Sequence, residues 1–181
     1  MPKIITVTAN TAIDLFIEIE GLTASDNILA KNSIDFACGK GINVAKAIES
    51  LDNPVSCLGF AGQQSIAAFN ALNTGLLQVD LTAVAGKTRT NITLFDSRDH
   101  KETHIRTAGF TVTEDDCQKL IEKIDACAEP GDIVILSGSL PPGAPGNLYQ
   151  TLIELCHSKA VIPFLDASGT GLISGIKARP H

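Results

Sequence analysis

The chain predicts an α/β fold, a mostly parallel sheet flanked by helices with a small β flap beside it. Three observations carry this. Strand and helix patterns alternate through most of the chain, and "DIVILSG" (132–138) is a nearly unbroken apolar run, the mark of a buried parallel strand. Residues 15–37 instead alternate apolar and polar, which suits strands with one wet face. "TNITLFD" (90–96) and "ETHIRTA" (102–108), joined by the polar "SRDHK", read as a hairpin.

In order, "KIITVTA" (3–9) is a β-branched strand ending at Asn10, and "LFIEIEGL" (15–22) and "ILAKNSIDFA" (28–37) are the flap strands. Residues 41–51 form a helix with Val44, Ala45, Ile48 and Leu51 on one face. "PVSCLGFAG" (54–62) is a short strand, and 64–74 reads as a helix. After the hairpin, Thr113 caps a helix whose first turn carries Glu114, Asp115 and Asp116 at the positive end of its dipole. Cys117, Leu120, Ile121, Ile124, Cys127 and Ala128 make its apolar face, and "PG" (130–131) stops it. A helix over 146–157, a strand "AVIPFLD" (160–166) and a helix from Ser168 complete the pattern.

Length and charge exclude several classes of function. The 181 residues suffice for one domain with a core, without linker or repeat. The net charge is −6 and no basic patch or tail occurs, which argues against a nucleic-acid partner. No apolar run is long enough to cross a bilayer and no signal-peptide layout opens the chain, so a cytoplasmic location is expected. Five cysteines without a Cys-x-x-Cys pair suggest buried thiols in a reducing compartment. Cys38 alone falls in a loop that could carry function. His100 and His104 have the i,i+4 spacing of zinc ligands, but that spacing converges only on a helix, and no metal site is expected here.

The most informative stretch is "ACGKGINVAKA" (37–47). It lacks the Lys-Ser/Thr of a Walker loop, and Val44 stands where a Rossmann fingerprint has its third glycine. Two glycines, Lys40, Asn43 and a helix N-terminus could still hold an anion or a polyol. A plain loop-to-helix turn explains the same residues equally well.

The loop has company. "ACGKGINVAKAIESL", "TVTANTAID", "TRTNITLFD", "ILSGSLPPGAP" and "FLDASG" occur in this order over residues 4–172 and together resemble the PfkB, or ribokinase-like, carbohydrate kinases. "GKGINVAKA", "TRTN" and "TAGFTVTEDD" are most similar to the branch that phosphorylates fructose 1-phosphate at carbon 6. Branches acting on tagatose 6-phosphate or fructose 6-phosphate share much of the pattern.

The resemblance implies a three-layer α/β/α ribokinase-like domain with a β-sheet lid, formed by strands near 15–37 and 90–108. It implies ATP and Mg2+ as cofactors, a phosphosugar as partner, and a possible homodimer through the lid. Position by position, Asp14 would accept sugar hydroxyls. Gly39, Lys40 and Asn43 would line the sugar, Arg89 would pair with its phosphate, and Ser139 would touch that phosphate. Arg106 and Lys31 are further cations for it, and Asp166 could help organise metal-nucleotide. Read without the resemblance, Asp14 is a turn or cap, Arg89 an edge-strand cation, Ser139 a turn residue and Asp166 an N-cap.

Two departures qualify the match. Cys38 stands where many members have glycine or alanine, and 61–80 lacks the family's usual Gly-Asp and later glycine. The resemblance further implies that the general-base aspartate, the anion loop and most of the ATP site lie in a C-terminal part beyond His181. No catalytic residue is therefore expected in this chain, which would be inactive alone. A non-catalytic sugar-phosphate-binding module is the alternative.

Overall fold

The computed structural model describes residues 2–181. Nine strands form two sheets. Chain order begins with β1 (Ile4–Thr8), β2 (Ala12–Ile19), β3 (Asn32–Cys38), α1 (Lys40–Glu49) and β4 (Val55–Gly62). A single 3-10 turn then leads into the short α2 (Ile66–Asn70), followed by β5 (Leu77–Val84), β6 (Arg89–Asp96) and β7 (Lys101–Arg106). Then come α3 (Glu114–Cys127), β8 (Ile133–Gly138), α4 (Leu148–Ser158), β9 (Ile162–Ala167) and α5 (Gly169–Gly175).

The larger sheet has the order β5-β4-β1-β8-β9, all neighbours parallel. Alternation along its strands feeds two cores. Ile5, Val7, Leu58, Phe60, Val134 and Leu136 point to one side and pack with Leu120 and Ile124 of α3 and Leu152 and Ile153 of α4. Val55, Cys57, Leu77 and Val79 point to the other side and meet Ile42 and Ala45 of α1 and Phe69 of α2. The smaller sheet, β3-β2-β6-β7, has β2 and β6 parallel at its centre and antiparallel β3 and β7 at its edges.

The expected helix at Thr113 forms with a full capping box. The Thr113 hydroxyl accepts from the Asp116 N–H, while the Asp116 carboxylate accepts from the Thr113 N–H. The hairpin and the flap strands also form, though β2 begins at Ala12 and β3 at Asn32.

Four expectations need correction. The helix over 64–74 shrinks to five residues, because the 3-10 turn precedes it and Asn73 and Thr74 leave it to bind the start of β5. Strand β5 was not expected at all, although its odd-numbered Leu77, Val79 and Leu81 are buried. On α1, Val44 is only half-buried and Leu51 is 72% exposed beyond the helix end, while Gly41 and Ile42 take the buried positions. Strand β8 is fully buried on one side only, because helices α3 and α4 cover Val134 and Leu136 while Ile133 and Ile135 line an open apolar groove with Ile4 and Phe164.

Candidate functional site

Parallel strands deliver their C-terminal ends to one edge of the sheet, where open α/β folds bind ligands. Thr8 and Ser137 are partners in the β1–β8 ladder, so Asn10 and Ser139 emerge side by side. The Asn10 Nδ2 donates to Ser139 Oγ at 3.2 Å and to the Leu140 carbonyl at 3.4 Å. Gly138 accepts the turn with φ +93°. Asn10 is also the hinge into β2, and its carbonyl accepts from Arg89 Nη2 at 3.0 Å. Arg89 Nε donates to the Thr11 carbonyl at 3.3 Å. These two bonds fix the guanidinium plane and leave further donors free, since the group carries five.

Arg89 is half-buried. Burial, and then the like charge of Arg106, push its guanidinium below its ordinary value, while Asp14 works the other way. Arg106 is exposed and stands opposite Asn91 in the β6–β7 ladder. A desolvated, rigid Arg89 with a second guanidinium nearby is an arrangement that an anion would relieve.

Asp14 lies on β2 facing the same space. Asn91 stands opposite it on β6 and donates from Nδ2 to Asp14 Oδ1 at 2.7 Å. On the other flank, the Cys38 thiol donates to Asn43 Oδ1 at 3.5 Å. Burial, followed by neighbouring Asp14, raises the thiol's pKa, so Cys38 is a neutral donor and not a nucleophile. The remaining cysteines are also unpaired, and burial raises Cys156 to about 11.

The glycines of the loop have a packing role that the sequence did not reveal. A Cβ on Gly39 would lie 2.6 Å from Thr8 Cγ2, and one on Gly41 2.5 Å from Thr8 Oγ1 and 2.9 Å from the Val7 carbonyl. They let α1 start directly against the end of β1. Lys40 reaches across the sheet edge to Asp166 Oδ1 at 2.5 Å. Asn43 is exposed on the first turn of α1.

The structure thus gathers Asp14, Gly39, Lys40, Asn43, Arg89 and Ser139 at one edge, with Arg106 and Asp166 at its margins. It does not bring Lys31 there. Lys31 sits at the far end of the small sheet, where its N–H donates to the Glu18 carbonyl and its ammonium pairs with Glu20 at 2.8 Å. His104 lies in β7 and His100 in the preceding turn, so the i,i+4 pair is not helical. Asn10 and Asn91 were missed. Asn10 carried a signal, since it follows a strand whose neighbour ends just before Ser139.

The sequence profile of the pfkB family carbohydrate kinases matches residues 3–178. The chain belongs to that family.

Among curated relatives it is 30% identical over 180 residues to the 1-phosphofructokinase of Bacillus subtilis, covering 98% of this chain and 57% of that protein. It is 32% identical over 178 residues to the 1-phosphofructokinase of Xanthomonas campestris, covering 97% and 56% respectively. This PfkB-family chain therefore spans a little over half the length of those relatives. Among solved structures, a Staphylococcus aureus protein provisionally assigned as a phosphofructokinase superposes with a TM-score of 0.86 at 29% identity, covering 98% of this chain and 57% of that one. The fold also matches Arabidopsis thaliana ribokinase, with a TM-score of 0.62 at 19% identity over 93% of this chain and 54% of that one.

Proposed function

We propose that this chain holds the phosphosugar acceptor of an ATP-dependent kinase, with fructose 1-phosphate as the sugar and fructose 1,6-bisphosphate as the product. The observation that carries this reading is Arg89, fixed by two backbone carbonyls on the same sheet face as Asp14. The fork would take the phosphate already on the sugar, Ser139 and Arg106 would assist it, and Asp14 and Asn43 would accept and donate to hydroxyls. The small sheet would act as the lid over the sugar. Its exposed Ile34, Phe36 and Ile105 suit self-association through that lid. The curated relatives named 1-phosphofructokinase support the choice of sugar.

ATP and Mg2+ follow from the family, and no all-protein metal site accompanies them among the described residues. Asp166 is ion-paired with Lys40, and among the described residues no group of three or more His, Cys, Asp or Glu could hold a metal ion. Mg-ATP supplies the phosphoryl group when bound. Mixed with Mg-ATP and fructose 1-phosphate, the 181-residue chain is expected to release no ADP; clear turnover would overturn that expected inactivity.

Calorimetry with fructose 1-phosphate tests the binding role. The chain should bind, and Arg89→Ala should bind roughly tenfold or more weakly, as expected for a lost charge-assisted contact. Equal affinity of the two proteins, or no binding by either, would sink the phosphate-binding role of Arg89. Parallel titrations with tagatose 6-phosphate and fructose 6-phosphate rank the sugars.

A further inference from the structure

We infer that Asn91 is a positioning residue for Asp14, retained for ligand binding at the expense of stability. The inference rests on the sugar-binding reading of the site above. Asn91 and Asp14 are ladder partners on the two central strands of the small sheet, and the 2.7 Å bond from Asn91 Nδ2 to Asp14 Oδ1 joins them. The other end of the same amide is in a different situation. Asn91 Oδ1 is buried and has no hydrogen-bond partner.

A buried acceptor without a partner is costly, and folded proteins leave few of them. Turning the amide over would not help, because it would set an oxygen against the Asp14 carboxylate. The orientation is therefore fixed by Asp14, and the orphaned oxygen is its consequence. An apolar residue of similar size would avoid that penalty and suit a β-strand at least as well. Asparagine is disfavoured in strands, so strand propensity does not explain it. The remaining explanation is the donor itself, which holds one carboxylate oxygen still. A pre-set carboxylate loses less freedom when a sugar hydroxyl arrives.

The role differs from a structural one in a measurable way. Replacing Asn91 by leucine removes both the donor to Asp14 and the unpaired oxygen. The variant Asn91→Leu should keep or raise the melting temperature of the chain, while binding fructose 1-phosphate roughly ten- to a hundred-fold more weakly. In ligand-free protein, the Hα–Hβ couplings of Asp14 should change from one χ1 rotamer to an average. Asn91→Asp, which keeps the shape and cannot donate when ionised, should weaken binding as well.

Unchanged affinity in Asn91→Leu would overturn the inference, as would a lower melting temperature with affinity retained. Should the unaltered chain fail to bind fructose 1-phosphate, the sugar assignment falls, and the Asp14 couplings still decide. Averaging in Asn91→Leu then upholds the positioning role, and a single retained rotamer removes it.

Discussion

The two sheets of this molecule differ in strand composition and in surroundings, with apolar strands such as Ile133–Gly138 in the larger and charged ones such as Lys101–Arg106 in the smaller. The five-stranded sheet lies between two helical layers, and Phe60, Leu136, Leu152 and Ile153 are fully buried against it. In the four-stranded sheet, every residue of β7 and five of the seven in β3 are exposed. Among the described residues, no cluster of fully buried side chains comparable to those of the large sheet spans its faces. One sheet supplies stability and the other presents side chains. The candidate site lies on the seam, with Ser139, Asn10 and Lys40 from the rigid side and Asp14, Asn91 and Arg89 from the open side. A protein that must admit a ligand beneath a covering sheet gains from keeping that sheet weakly packed.

The contrast is testable by substitution. Phe60→Ala should have the largest effect, destabilising the chain by roughly 3–5 kcal/mol in chemical denaturation. A loss below ~1 kcal/mol would mean that the large sheet is not the main source of stability.

A smaller effect concerns Asp96, the buried anchor at the far end of the small sheet. Its carboxylate accepts from the N–H groups of Leu22 and Gly21, both at 2.8 Å, and from Arg98 at 3.0 Å and Asp99 at 3.4 Å. These bonds, led by that from Leu22, lower its pKa from 3.8 to about 2. The folded value lies below the unfolded one, so the stabilisation is complete above about pH 4 and is lost as the pH falls through 2. Asp96→Asn should flatten the acid limb of the stability curve in that window, and an unchanged limb would show that the anchor is not ionised.

Thr113→Ala removes the cap of α3 on the rigid side and should cost about 1 kcal/mol. Smallest of all, Ile34→Ala in β3, where the side chain is 53% exposed, should stay within about 0.5 kcal/mol at dilutions that keep the chain monomeric. A large loss there would reveal a partner on the small sheet.

Much of this architecture was legible in the chain. The Thr113 cap, the apolar stripe of α3 and the two-strand hairpin depend on neighbours within a few residues, which a sequence displays directly. Strand β5 was not read, although Leu77, Val79 and Leu81 alternate with Gln78, Asp80 and Thr82, because it follows a helix that tertiary contacts cut short. The half-covered face of β8 was hidden for a related reason. An apolar run shows that a strand can be buried, while the number of helices laid on each face depends on the rest of the fold.

For the site, residue identity and order pointed to Asp14, Asn43, Arg89 and Ser139, since motifs at strand ends are local signals. Asn91 lay within "TRTN" without any role being assigned to it. Its importance depends on register, because only the parallel pairing of β2 with β6 places it against Asp14. Lys31 shows the converse, a plausible cation that the antiparallel pairing of β2 with β3 carries to the far end of the small sheet. By itself the sequence determined the α/β class, the family and the chemical types at the site. Tertiary structure decided which of those groups share a space and what holds each one still, because cross-strand pairing joins residues more than seventy positions apart.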